Sequence, residues 1–257
     1  MRRGSAMILP ERGGGLHLLP DNCRARIVLN RLFVLLAPAD WVALAVFLVG
    51  WFGYSYYADR AARSARGLRG VTHRLRLDWA RQMVHRENRI VDAALTGNLM
   101  TSVSFYANTT IYIIAGLIAV AGTLDKLISF TEDLPFARVQ SRELVEAKVF
   151  LLVGVFIFAY FKFTWALRQF NFLSILIGSA PDRNAQPDLL EQHALKSGTI
   201  NTLAGDEFNR GIRAYYFGFA ALAWFVSPIA FVAMSVVILL VLWRRDFRSH
   251  TLRALES

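Results

Sequence analysis

Of the 257 residues, 55% are hydrophobic and only 19% charged, where a soluble globular domain carries roughly 45–50% and about 25%. The net charge of +10 would suggest nucleic acid in a soluble chain. Here the arginines flank apolar blocks and no zinc-finger or single-strand-binding motif accompanies them, so the charge points to membrane topology and anionic headgroups instead, with no nucleic-acid partner.

Residues 1–37 read as a flexible arm with a short apolar lead-in. Arg2 and Arg3 give a basic start, but Pro10, Glu11 and the Gly13–Gly14–Gly15 run interrupt any signal-like core. Met7 is an alternative start site. The single cysteine, Cys23, excludes an intrachain disulfide and has no adjacent histidine to act as its base. The stretch 27–37, IVLNRLFVLLA, is too short to span and is broken by Asn30 and Arg31.

The first span is predicted at 39–58, opened by Pro38 and flanked by Trp41 at one end and Tyr56 and Tyr57 at the other, as an aromatic belt requires. A polar connector at 59–97 follows. It carries nine arginines opposed by Asp59, Asp78, Glu87 and Asp92. Its second half has helical periodicity, with Leu75, Trp79, Ala80, Met83, Ile90, Val91 and Ala94 near one face and Arg74, Asp78, Arg81, His85, Arg89 and Asp92 on the other. Such a basic amphipathic helix either lies on the membrane surface or docks against the protein's own cytoplasmic surface.

The second span is predicted at 98–121. Its first half bears a polar stripe, Asn98, Thr101, Ser104, Asn108 and Thr109, which should face protein or water because unpaired polar groups are costly in lipid. A short connector at 122–145 contains Pro135, and the next helix is expected to start near Ser141 or Arg142 with Glu143 and Glu146 in its early turns, where negative charge suits the helix dipole. The third span covers 149–167, with helix continuing toward Ile177 before Gly178 and Pro181 stop it.

The second long connector, 178–210, is expected to hold one short helix near 188–196 and then a polar break. The fourth span, 215–243, is unusually long and carries Pro228 near its centre, so a kink is predicted there. A basic tail closes the chain at 247–257. The expected architecture is therefore all-α: a four-span transmembrane helical bundle over 38–246 with an additional amphipathic interfacial helix.

Four spans place both termini on one side and both long connectors on the other. The connectors hold thirteen Lys and Arg against ten in the other flanking segments. That bias favours cytoplasmic long connectors, while the basic C-terminal tail argues the other way.

No nucleophile elbow, HExxH pair or phosphate loop is present, so no catalytic, metal or cofactor site is assigned. His85 with Glu87 and Asp92 reads as the polar face of a surface helix rather than as a metal site. The polar residues that share one membrane face are Arg86, Asn88, Arg89 and Asp92 before the second span, and Asn98, Thr101 and Asn108 within it. Arg168, Gln169 and Asn171 at the end of the third and Asn209, Arg210 and Arg213 before the fourth complete the set. They form either a polar vestibule or anion site, since guanidinium matches phosphate and carboxylate geometry, or a set of structural pairs between helices.

Three strings carry a resemblance: RENRIVDAALTGNLMTSVSFYANTTIYIIAGLIAV at 86–120, FKFTWALRQFNFLSILIGSAP at 161–181 and NRGIRAYYFGFAALAWFVSP at 209–228. In combination they resemble the DUF599 family of uncharacterised membrane proteins over residues 38–246. Arg168 and Asn171 look like the family's arginine and asparagine after the third hydrophobic stretch. Asn209, Arg210 and Tyr216 look like its pattern before the last. The resemblance implies a multi-pass membrane protein, here expected in a bacterial inner membrane, and no reaction or substrate. A structural or regulatory role engaging membrane lipids is the first expectation. A homo-oligomeric transporter or channel and an enzyme acting on lipid headgroups are the alternatives.

Overall fold

Pro38 and Asp40 begin the first helix as expected: proline is preset for the first turn, and the carboxylate sits where the helix dipole favours negative charge. The computed structural model describes residues 36–64, 66–124 and 141–256. The readings made for the N-terminal arm, Cys23, most of the 27–37 lead-in and the Pro135 connector lie outside these.

All regular structure among the described residues is helical. The elements are α1 (Pro38–Arg63), α2 (Gly67–His85), α3 (Ile90–Ala121), α4 (Arg142–Gly178), α5 (Pro187–Leu222), a 3₁₀ turn (Ala223–Phe225), α6 (Pro228–Arg248) and α7 (His250–Glu256). Four helical stretches are long and apolar enough to cross a membrane: Pro38–Arg63, Ile90–Ala121, Arg142–Gly178 and Pro228–Glu256. Ser141 caps α4 by accepting from the Leu144 amide at 3.2 Å, and Ser227 caps α6 by accepting from the Ala230 amide at 3.1 Å.

Two expectations need correction. The connector predicted to break after 196 is instead one continuous helix, α5, of 36 residues. Its glycines read as breakers, yet each lies beneath a neighbour: a Cβ on Gly198 would sit 3.0 Å from Leu77, one on Gly211 2.5 Å from Phe163, one on Gly218 3.0 Å from Phe156. Close packing against α2 and α4 outweighs their low helix propensity.

The stretch 215–243 is also not one kinked span. Pro228 stands in the first turn of α6, and the chain reverses at 223–227. Trp224 stacks on Phe231 with centroids 5.1 Å apart, and the Arg245 guanidinium lies 5.4 Å from the Tyr216 ring. In an unbroken helix residues 216 and 245 would stand about 43 Å apart.

The lower half of α5 consequently descends beside α4 through the same layer as the apolar spans. Lys148 of α4 donates to the Trp224 carbonyl at 2.7 Å, and Trp224 Nε1 donates to Asp40 of α1 at 2.7 Å. The sequence reading merges this apolar passage with the helix beyond Pro228; neighbours cover it, and Ala214, Phe217, Ala220 and Ala221 are buried. Small residues inside a helical bundle admit close approach without needing to be greasy.

The extra passage changes the sidedness. Tyr54 Oη donates to Asp246 at 2.8 Å, so α6 ends level with the end of α1. Gly67, at φ +69°, turns the chain into α2 directly against the Asp246 carbonyl and the Phe247 ring, where any side chain would collide. The C-terminal helices thus lie on the side of the long connectors, opposite the start of α1, whereas the sequence reading sets them apart from those connectors.

The basic amphipathic helix is α2, and it takes the docking alternative. It packs along the upper half of α5, burying Ala80 and Met83. Ile90, Val91 and Ala94, grouped with it by periodicity, belong instead to the exposed start of α3.

Candidate functional site

Where the spans end and the upper helices begin, charged side chains from α1, α2, α4, α5 and α6 meet. Asp59, in the last turns of α1, is the centre. It accepts from Arg69 Nη1 at 2.5 Å, from Arg210 Nη2 at 2.6 Å and Nε at 3.0 Å, and from Arg213 Nη2 at 3.0 Å. Arg213 is 1% exposed, a burial arginine tolerates only when paired.

Arg69 bridges on to Asp206 at 2.7 Å. His73 approaches the same carboxylate at 3.0 Å. Burial pushes the Asp206 carboxyl up, but the His73 hydrogen bond and the Arg69 charge outweigh it and hold the group down at about 2. Glu207 pairs with Arg210 one turn along α5 and with Lys162 of α4 at 2.9 Å. Asp246 accepts from Tyr54 and, at 3.3 Å, from Arg245.

A cavity of about 410 Å³ opens beside this network, within the size range of small-ligand sites. Its polar wall is Arg69, Thr72, Arg76, Ser102, Asn209, Arg245 and the carboxylate of Asp246, and its apolar wall includes Leu99, Val103, Phe170 and Phe208. Arg76 is the exceptional member. Its guanidinium lies across Gly205, in the space any larger residue would fill. Its buried Nη1 has no hydrogen-bond partner among the described residues. Burial pushes the Arg76 pKa down, Asp206 pulls it up and Arg69 presses it down again.

The network and cavity gather six permanent cations, Lys162, Arg69, Arg76, Arg210, Arg213 and Arg245. Four carboxylates, Asp59, Asp206, Glu207 and Asp246, oppose them. The surplus of two positive charges, with one arginine unpaired, makes the cavity receptive to an anion.

Of the residues singled out from sequence, Asn209, Arg210 and Arg213 fall in this site. Arg86 and Asp92 form an ion pair at the α2–α3 corner, where Asp92 also accepts from Trp79 Nε1 at 2.6 Å. Asn88 caps the start of α3 by accepting from the Ile90 amide at 2.9 Å. Arg89 clasps four carbonyls, those of Met83, Val84, Ala180 and Pro181, tying α2 to the α4–α5 loop. Gln169 is buried on α4. Arg168 covers Phe172 and lines a shallow groove with Asn171. Asn98, Thr101 and Asn108 point outward from α3, away from the cavity. No group of three or more His, Cys, Asp or Glu among the described residues is arranged to hold a metal.

Sequence reasoning missed Asp59, Arg69, Arg76, Asp206, Glu207 and Asp246. A signal was available in the glycines 198, 205, 211 and 218. Their spacing of six or seven residues repeats about every two helical turns, so they line one face of α5, the face that α2 and α4 approach.

An all-helical bundle with four apolar spans and an ion-pair network gathered where they end defines a multi-pass integral membrane protein. The chain belongs to the DUF599 family: the family model described as "Protein of unknown function, DUF599" matches residues 42–251. Neither a curated protein nor a solved structure matches it.

Proposed function

We propose that the protein is a regulatory or structural membrane protein that binds an anion, a phosphate-type group, in the arginine-lined cavity at the cytoplasmic end of its spans. One observation carries this reading: Arg76, whose buried Nη1 has no hydrogen-bond partner among the described residues, borders a cavity that already holds more cations than carboxylates. A bound anion would satisfy it through charge-assisted hydrogen bonds.

The cytoplasmic assignment rests on charge. Arg244, Arg245, Arg248 and Arg253 join the two long connectors on one side, which strengthens the Lys/Arg bias there. That arrangement fits a bacterial inner membrane and contact with anionic lipids. Conduction is the weaker reading, because the buried interior below Arg213 is filled by Phe47, Phe217, Phe231 and Leu152 rather than by a polar route.

The test uses purified protein in neutral-lipid nanodiscs. Inorganic phosphate or pyrophosphate should raise the thermal midpoint in a saturable way, and Arg76→Gln should abolish the rise. Stabilisation by phosphatidate or phosphatidylglycerol nanodiscs but not by the free anions would assign the site to a lipid headgroup. No Arg76-dependent stabilisation by either source would overturn the reading.

A further inference from the structure

Helix α3 is the least covered of the spans, and its free face is patterned. It packs mainly along α4, and 17% of its apolar window is buried, against 28–39% in the other three. Ala94, Asn98, Thr101, Phe105, Asn108 and Tyr112 are all exposed and succeed one another at intervals of four and three. The alternation continues at Ala115 and Ala119, also exposed. This is the 3.5-residue repeat of a left-handed helix pair, in which one seam stays against a partner over many turns.

The seam is unsuited to lipid. The side-chain amides of Asn98 and Asn108 accept and donate no hydrogen bond within the described residues, whereas Thr101 and Thr109 bond back to their own helix at 3.0 Å and 2.8 Å. Asn108 lies two residues, about 3 Å along the axis, from Thr110, which bonds Tyr215 at 2.7 Å in the lower half of α5, and an amide facing hydrocarbon at that level lacks the partners it requires. No charged residue occurs in α3 from 93 to 121, a run of about 43 Å, so the seam stays uncharged through the hydrocarbon core of about 30 Å and the headgroup layers beside it.

We infer that a second copy of this chain covers it, with α3 pairing against α3 of its twin in a parallel, left-handed, two-fold dimer. Copies of a membrane protein share one orientation, so a two-fold axis along the membrane normal sets the two helices parallel and in register. Each seam residue then meets its own counterpart. That geometry suits asparagine, whose amide is both donor and acceptor and can close a reciprocal pair with itself. Ala94, Ala115 and Ala119 let the backbones approach near both ends. The asparagines also fix the register, since sliding the helices would oppose them to apolar neighbours.

The experiment is disulfide mapping in native membranes, in a Cys23→Ser background, with Asn98→Cys and Asn108→Cys on the seam and Ile111→Cys and Ile118→Cys as exposed positions off it. The seam variants should form covalent dimers at least tenfold more than the controls under the same oxidant. Crosslinking at the controls to an equal degree, or none at the seam, overturns the pairing. A second measurement keeps the native amides: photobleaching counts in lipid vesicles at increasing dilution. Dimers should persist for the unmodified chain, fall at least tenfold for the Asn98→Leu, Asn108→Leu double variant, and be retained by Asn108→Gln. Single copies throughout, or rings of three or more, overturn the two-fold dimer.

Discussion

The two halves of α5 bury their surroundings by different means. In the upper half, from Asn201 to Arg213, the helix carries Asp206, Glu207, Arg210 and Arg213 into contact with Asp59, Arg69 and Lys162. In the lower half, Phe217 packs edge-on against Phe47 at 5.6 Å and stacks on Trp51 at 5.8 Å, while Gly218 accepts Phe156 and, at the junction of the halves, Gly211 accepts Phe163. One helix is thus held by charge pairing at one end and by shape at the other. Charge pairing fails badly when one partner goes, because the rest stay buried and uncompensated. Shape fails gradually, in proportion to the volume misplaced.

The largest expected effect follows from that asymmetry. Asp59→Asn removes the one carboxylate shared by Arg69, Arg210 and Arg213 and should destabilise the protein by roughly 3 kcal/mol or more, read as a lowered unfolding midpoint in detergent and reduced accumulation in membranes. Asp59→Glu should recover part of the loss. If Asp59→Asn unfolds no earlier than the unmodified protein, the upper layer is not held by pairing. At the junction with the lower half, Gly211→Leu drives a side chain into the Phe163 ring, 2.5 Å from where its first carbon would lie. The expected cost is about 2 kcal/mol of overpacking, with Gly218→Ala milder because its nearest contact is 3.0 Å. Equal tolerance at both glycines would sink the claim that α5 is seated by shape.

The same contrast explains what could be read from the sequence. The lipid-facing helices were legible because lipid selects a continuous apolar run, and Pro38, Ser141 and the arginines of 60 and 63 mark their ends. The lower passage of α5 was not. Its apolar run YYFGFAALAWF was joined to the helix beyond Pro228, because hydropathy registers the run and not the reversal at 223–227. The centre of the site was hidden for a related reason. Asp59 reads as one acid among nine arginines until α2 folds back onto α5, and Arg76 reads as one more solvated charge until Gly205 is seen beneath it. Asn209, Arg210 and Arg213 were found because they stand next to a span, and Arg89 was found for the same reason although its hydrogen bonds all go to carbonyls of neighbouring turns.

A smaller effect separates the two halves by pH. His73 and Arg69 hold the Asp206 carboxyl at about 2, below its ordinary 3.8, so the folded state binds fewer protons there than the unfolded chain. The stability this supplies is present above about pH 4 and is lost as pH falls toward 2, amounting to about 2 kcal/mol. Unfolding midpoints between pH 5 and 2.5 should therefore drop more steeply for the unmodified protein than for Asp206→Asn, which starts lower but has no such proton to gain. Parallel curves would remove Asp206 from the paired layer.

The smallest effect on stability falls where the effect on binding is greatest. Arg76 has no partner in the network and sits with burial and Arg69 both working against its charge. Replacing it by methionine, which keeps an apolar stem but removes the guanidinium that lies over Gly205, deletes no pair and relieves a buried unpartnered cation. In anion-free buffer Arg76→Met should unfold within about 0.5 kcal/mol of the unmodified protein, or later than it, in contrast to Asp59→Asn. With phosphate or pyrophosphate added, the unmodified protein should move up in temperature and Arg76→Met should not. Should Arg76→Met instead collapse the protein as Asp59→Asn does, Arg76 is a structural member of the ion-pair layer and the cavity beside it loses its claim to an anion.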